Sequence, residues 1–311
     1  MVLVLVEQVE QKATDPSLQA LTLARSFGKP VHALVFESGV DLRQHGVEVT
    51  HVAEHPALDT FAPDAWAATL GDVAERLDAS AVVAAGTERG NEVMARLAAR
   101  SDLPLATNCV AVTPGLPLTL TRLRWGGSLL EEARLHSSRP LITVAPHAVQ
   151  VETAPVDTKI EKFTLALAEQ DLLVRVAEHI GAAGGGISLT EAKVVVSGGR
   201  GVGSKEGFAI IEELAGLLNA AVGCSRAVTS AGWRPHTDQV GQTGTKIAPD
   251  IYIACGISGA TQHMAGCKGA KKILAINADG EAPIMLSADY AVIGDLKEIV
   301  PAISAEIRKQ R

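Results

Sequence analysis

Aromatic rings are scarce in this chain: only 3% of its 311 residues are Phe, Trp or Tyr. A surface that grips single-stranded nucleic acid by stacking bases needs more of them. Positive charge is short as well. The formal net charge is −7, whereas a general nucleic-acid binder presents a basic face. No apolar run approaches the roughly 20 residues that span a bilayer, so membrane insertion is not expected. The first residues, Met1 to Glu7, lack the basic region and cleavage site of a signal peptide and read as a strand. Cys109, Cys224, Cys255 and Cys267 show no C-x-x-C spacing, which argues against a disulfide framework or a metal site. A reducing compartment follows, with cytoplasm as the default. Catalytic signatures are missing too: there is no G-x-S-x-G, no H-E-x-x-H and no cysteine beside a plausible base. The only Gly-Thr-Lys, starting at Gly244, lacks the rest of a Walker loop. No catalytic residue is therefore assigned. This suits a protein that holds a cofactor, because the cofactor supplies the chemistry.

What is present is a large apolar share, 47%, and 29 glycines. A chain this long is typical of two domains, and strong strand signals with many tight turns favour an α/β protein. In the first half, strands are predicted at Met1–Val6, Val31–Phe36, Val47–Val52 and Ala81–Ala85, the third nearer an edge. Helices are predicted at Pro16–Phe27, Ala65–Leu77 and Gly90–Arg100. This βαβ punctuation implies a parallel sheet. From Leu118 the pattern changes: Leu118–Arg124, Leu129–Leu135 and Leu141–Val144 read as antiparallel additions. Arg122, Arg124, Glu131 and Glu132 read there as solvated faces. Ile160–Leu167 and Leu172–Ala177 continue with extended character. The run Gly181–Gly186 is the clearest linker, which gives domains at 1–186 and 187–311.

The second half centres on Val240–His263, VGQTGTKIAPDIYIACGISGATQH. Asp250–Cys255 is a buried strand between two glycine turns, and Ala260–Ala265 opens a helix with Ser258 as a plausible N-cap. Lys193–Ser197, Ala221–Cys224, Ile273–Ile276 and Asp289–Ile293 supply further strands. Phe208–Leu218 and Leu296–Ile307 supply helices. Backbone N–H groups at such strand-to-helix turns approach anionic ligands. Gly201, Gly203 and Gly207 are spaced one residue too long for the dinucleotide fingerprint, and a plain tight turn explains them as well. Arg200 and Arg226 fall at strand ends where ligands bind, and guanidinium suits pyrophosphate or an electron-rich ring. Each could instead be a solvated surface residue. Thr243 and Ser225 double as turn residues, Asn277 as a strand-end turn and Asp295 as a helix cap. His263 reads as a helix-face histidine whose helix N-terminus disfavours its protonation.

The motifs VVVSGGRG from Val194, CSRA from Cys224, QVGQTG from Gln239, IACGISGATQH from Ile253, AIN from Ala275 and EAPI from Glu281 closely resemble the alpha subunit of electron transfer flavoprotein. The match spans roughly Lys193 to Val300. The first half resembles that family only in layout, a nucleotide-hydrolase-like α/β domain. The resemblance implies a Rossmann-like, doubly wound FAD-binding second domain and a first domain that meets a beta subunit in a heterodimer. It implies one FAD in this chain and AMP in the beta subunit. By motif, Arg200, Ser225, Arg226, Val240, Gly241, Gln242, Thr243, Ser258, Gly259, Ala260, Thr261, Gln262, His263, Asn277, Asp295 and Leu296 look like the FAD contacts. The resemblance puts Arg226 against the isoalloxazine, Thr243 at N5, His263 near the C2 carbonyl, the Ser258 turn at the phosphates and the Asp295 end at the adenine. Where family members often carry Lys directly after QTG, Thr245 stands here. The implied function is electron carriage, in fatty acid β-oxidation, from acyl-CoA and related dehydrogenases to a membrane quinone oxidoreductase. The alternatives are an NADH-oxidising, electron-bifurcating flavoprotein complex, an NAD-dependent enzyme of related topology and a partner-binding scaffold.

Overall fold

The structure, a computed structural model, describes residues 1–310 apart from 59, 128, 165, 166, 177–186 and 191. The chain forms two compact units that divide near residue 180. The Gly181–Gly186 linker lies outside the described residues.

The first unit is built on strand β1 (Val2–Leu5), whose four residues are all buried. Such a continuous apolar run marks a strand covered on both faces. Val2 and Val4 pack with Leu21 and Ala24 of helix α1 (Asp15–Arg25). Leu3 and Leu5 pack with Leu70 of α2 (Pro63–Arg76) and with Val93 and Met94 of α3 (Glu88–Ser101). The period-2 alternation of a strand thus feeds two separate cores. The other strands of its main sheet are β2 (Val31–Val35), β3 (Val47–Glu54), β4 (Ala81–Ala85), β5 (Leu105–Thr113), β6 (Leu118–Arg124), β7 (Leu129–Leu135), β8 (Leu141–Val144) and β9 (Lys159–Thr164). Their order is β9-β3-β2-β1-β4-β8-β5-β6-β7.

Several expectations are corrected here. Leu141–Val144 is not antiparallel: it lies between β4 and β5 and pairs parallel with both. Its four buried residues form the continuous apolar run that parallel strands need. Leu105–Thr113 is a strand that the pattern did not reveal, because its register is irregular and Asn108 takes a left-handed φ of 55°. Leu172–Ala177 is not a strand over its described part. A 3₁₀ turn at Glu169–Leu172 buries Asp171 against Arg100, at 2.7 Å. Arg122 is not a solvated side chain either: it is 19% exposed and donates two hydrogen bonds, 3.0 and 2.7 Å, to Glu131 of the facing strand.

The second unit is a five-stranded parallel sheet of β10 (Val194–Gly198), β11 (Ala221–Cys224), β12 (Ile251–Cys255), β13 (Lys272–Asn277) and β14 (Tyr290–Ile293). The order is β11-β10-β12-β13-β14. Val195, Tyr252 and Ala275 face one core. Val196, Ile253 and Ile276 face the other, covered by α4 (Ala209–Leu218) and α7 (Leu296–Gln310). The strand order reverses at β10, running one way to β11 and the other way from β12 to β14, which makes the crevice at the carboxyl ends of β10 and β12 the switch point where doubly wound sheets bind ligands. The strand order is that of flavodoxin-like sheets, not of the six-stranded dinucleotide fold. All four cysteines are free and buried. Among the described residues, no helix is long and apolar enough to cross a membrane.

Candidate functional site

At the switch point two glycine loops interlock. Gly199 N donates to the Cys255 carbonyl (2.8 Å) and Gly201 N to the Gly256 carbonyl (3.1 Å). A Cβ on Gly199 would stand 2.1 Å from the Gly256 oxygen, and one on Gly259 2.4 Å from Ile284 N. Gly259 also holds φ at +81°, which only glycine adopts without strain. Within G-x-G-x-x-x-G, a Cβ on Gly201 would stand 2.8 Å from Gly256 Cα and one on Gly207 2.6 Å from the Val202 carbonyl oxygen, while Gly203 holds φ at +91°; these close approaches and the left-handed turn account for the spacing.

A third loop completes the cradle. Val240 N donates to Cys224 O (2.9 Å), Ser225 N to Gly198 O (3.1 Å) and Gln242 N to Gln262 O (2.7 Å). These bonds bring the Cys224–Arg226, Val240–Thr243 and Gln262–His263 segments to one end of the sheet. Arg226 is the first residue of the short helix α5 (Arg226–Ser230). Asn277 Nδ2 donates to the Ile257 carbonyl (2.9 Å), and the Leu296 side chain packs against the Gly201–Gly256 contact. Asp295 caps α7 by accepting from Lys297 N at 2.9 Å. Ser258 is not the N-cap of α6 (Thr261–Cys267). That position belongs to Ala260, whose side chain has nothing to cap with. Ser258 is thereby left exposed, as are Arg200, Arg226, Gln242, Thr243, Thr261 and Gln262. Ion pairs in this unit engage Arg234, Lys271, Lys272, Arg308 and Lys309, so among the described residues Arg200 and Arg226 are in none of them.

His263 differs from its expected setting. It lies on a helix but is only 7% exposed. Its Nε2 lies 2.7 Å from the Tyr252 hydroxyl, while its Nδ1 is buried with no hydrogen-bond partner. Burial, partly offset by the Val240 carbonyl, brings its pKa down to about 4. Desolvation, and not the helix end, is thus the main cause. A histidine whose folded pKa lies below its unfolded value destabilises the fold as pH drops, because only the unfolded chain takes up the proton. Stability of the second unit is expected to fall between pH 6.5 and about 4, by about 3 kcal/mol at 1.36 kcal/mol per pKa unit. Urea unfolding of the wild type and of His263→Gln across that range checks it. The substitution should remove most of the slope.

Two residues that sequence reasoning passed over also belong here. Gln239 is 2% exposed. It accepts from Thr229 Oγ1 (2.6 Å) and donates to Thr243 Oγ1 (3.0 Å). Tyr252 is fully buried beneath His263. Gln239 looked like turn sequence and Tyr252 like strand core. No local signal in the sequence marks either.

A crevice at the switch point of a flavodoxin-order sheet, with free guanidinium groups at its edge and an orphaned imidazole nitrogen inside, defines a binding unit for an anionic, nucleotide-type cofactor. An unpaired buried nitrogen costs about 1–3 kcal/mol, so the site fits a ligand carrying a hydrogen-bonding edge. Comparison with known proteins gives the family. Residues 188–268 match the electron transfer flavoprotein FAD-binding domain, and residues 2–168 match the electron transfer flavoprotein domain. Electron transfer flavoprotein subunit alpha of Mycobacterium tuberculosis H37Rv is 38% identical over 100% of this chain and 99% of its own length. That of Bacillus subtilis is 34% identical over 99% and 97%. Protein FixB of Clostridium saccharobutylicum is 36% identical over 98% and 96%. The chain belongs to the electron transfer flavoprotein family, as an alpha subunit. The likeness extends through the first unit, which the motifs tied to the family only by layout.

Proposed function

We propose that this chain is the FAD-holding subunit of a two-chain electron carrier. Its first domain, 1–186, would meet a beta subunit carrying AMP, and its second, 187–311, would hold the flavin. The observation that carries this reading is the His263 Nδ1, buried and unpartnered at a crevice floored by backbone loops. Arg200, the Ser258–Gln262 turn and Asn277 would hold the pyrophosphate and ribose side. Asp295 and Leu296 would bound the adenine end. Ser225, Arg226, Val240–Thr243 and His263 would line the isoalloxazine. Once bound, FAD would supply the electron chemistry. The chain's own part is to orient the ring and to set hydrogen bonds against it. Arg226 would place positive charge where reduction adds negative charge, and such preorganised charge counts for more in a partly dry site. The external partners would be acyl-CoA-type dehydrogenases as donors and a membrane quinone oxidoreductase as acceptor, in a reducing cytoplasm.

The test is co-expression with the candidate beta chain, followed by cofactor extraction. One FAD and one AMP per pair are expected. A colourless pair that FAD does not reconstitute would overturn the assignment. Two flavins per pair would replace the simple carrier by the bifurcating type.

A further inference from the structure

We propose that Gln239 and Tyr252 are positioning residues that fix the direction of the hydrogen bonds in the cradle, so that Thr243 and His263 both face the ligand as donors. This rests on the flavin reading above for the ligand's identity. The protonation pattern itself stands on the protein alone.

Tyr252 and His263 form a closed pair. The phenol is fully buried, and desolvation pushes its pKa well above the ordinary value, so its proton stays on. The neighbouring Ser197 hydroxyl acts on the phenol oxygen as a donor, in the sense that lowers the phenol pKa, and so does not compete for the phenol hydrogen; that leaves His263 Nε2, 2.7 Å away, as the acceptor for the phenol O–H. A neutral imidazole that accepts at Nε2 must carry its hydrogen on Nδ1. The Val240 backbone lies close enough to the ring to favour a proton on it, but outside hydrogen-bond distance of Nδ1. His263 is then a neutral N–H donor with no acceptor at full hydrogen-bond distance in the protein, which a ligand acceptor can supply.

The second pair works in the same way through an amide. Thr229 Oγ1 stands 2.6 Å from one terminal atom of Gln239, and Thr243 Oγ1 stands 3.0 Å from the other. Thr229 Oγ1 also lies 3.0 Å from the Arg226 carbonyl, but the 2.6 Å separation from Gln239 is the shorter and suits O–H···O, while the 3.0 Å separation of Gln239 from Thr243 suits N–H···O. Hence the amide oxygen faces Thr229 and the NH₂ faces Thr243. Thr243 Oγ1 receives that hydrogen bond, and its own hydrogen is free to point away. The residue is exposed, on the loop that the Gln242 N to Gln262 O bond holds at the cradle, so a ligand seated there can accept from it. Two neutral donors aimed at one ring bind it more tightly when it carries extra electron density, since hydrogen bonds to charged acceptors are roughly twice as strong.

Nitrogen-15 NMR of the full-length chain, purified with its partner subunit and labelled at histidine, tests the proposal. His263 is assigned by the signal lost in His263→Gln. The wild type is expected to show the Nδ1–H tautomer with and without flavin. Tyr252→Phe is expected to release Nε2 and give a mixture of tautomers. Gln239→Glu replaces the NH₂ donor by an acceptor and turns the Thr243 hydrogen inward. Each variant should weaken binding of reduced FAD about tenfold while changing that of oxidised FAD less than threefold, in line with the loss of one hydrogen bond to a charged acceptor. An Nε2–H tautomer in the wild type, or a Tyr252→Phe protein with tautomer and affinity ratio unchanged, overturns the proposal. Should Tyr252→Phe fail to fold, the wild-type tautomer and Gln239→Glu still decide it. A wild type that binds no flavin yet shows the Nδ1–H tautomer sinks the flavin reading and leaves the protonation pattern standing.

Discussion

Gly199→Ala is expected to strip the protein of its flavin and to destabilise the second unit by about 3 kcal/mol, the upper range for forcing atoms into a packed site. The added methyl carbon would stand 2.1 Å from the Gly256 oxygen, and neither partner is a side chain that can swing aside. The two loops must separate. The hydrogen bonds from Gly199 N and Gly201 N would lengthen or break as they do, each worth about 1 kcal/mol. Because the crevice floor is made of those loops, a separation of an ångström changes every distance above it. Gly216 in α4 supplies the contrast. A Cβ there meets nothing within 4 Å, and glycine inside a helix costs about 0.5–1 kcal/mol relative to alanine. Gly216→Ala is expected to stabilise the protein by that amount with flavin content unchanged. Urea unfolding and the flavin-to-protein absorbance ratio read both variants. Equal flavin retention in the two would show that the loops do not form the floor.

The glycines also mark where the sequence was legible. Local signals were enough for the α/β class, for most strands and for the carboxyl-end loops, because strand runs and helix stripes are written in neighbouring residues. What stayed hidden was pairing across distance. Leu141–Val144 carried the right strand signal and the wrong direction, since direction depends on the neighbours β4 and β5, far away in sequence. The long glycine spacing read as an imperfect dinucleotide loop until the partner loop at Gly256 came into view. Gln239 and Tyr252 were overlooked for the same reason. Neither residue type is unusual where it stands, and each acquires its role only from Thr229, Thr243 or His263 brought alongside. His263 itself was recognised by motif, but its burial, which sets its pKa, belongs to the packing and not to the local pattern.

Arg226→Ala is expected to lower the reduction potential of the bound flavin by about 40–90 mV. The side chain is exposed and is not in the unit's ion pairs among the described residues, so its charge is not neutralised locally. At about 5 Å and an effective dielectric near 20, a unit charge contributes about 3 kcal/mol to a neighbouring charge. Exposure and salt reduce that to about 1–2 kcal/mol. For one electron, about 59 mV corresponds to a tenfold change in equilibrium constant, which gives the range stated. Spectroelectrochemical titration measures it, and the shift should grow at low ionic strength. Arg226→Lys separates charge from shape. If charge alone acts, lysine restores most of the potential. If the planar guanidinium stacks on the ring, lysine behaves like alanine. Arg308 is the control: it pairs with Glu213 (3.1 Å), and it lies twelve residues along α7 from Leu296, about 18 Å from the crevice at 1.5 Å per residue. Arg308→Ala should leave the potential where it is. A potential that moves as far in Arg308→Ala as in Arg226→Ala would mean that the field of the whole unit, and not this one side chain, sets the ease of reduction.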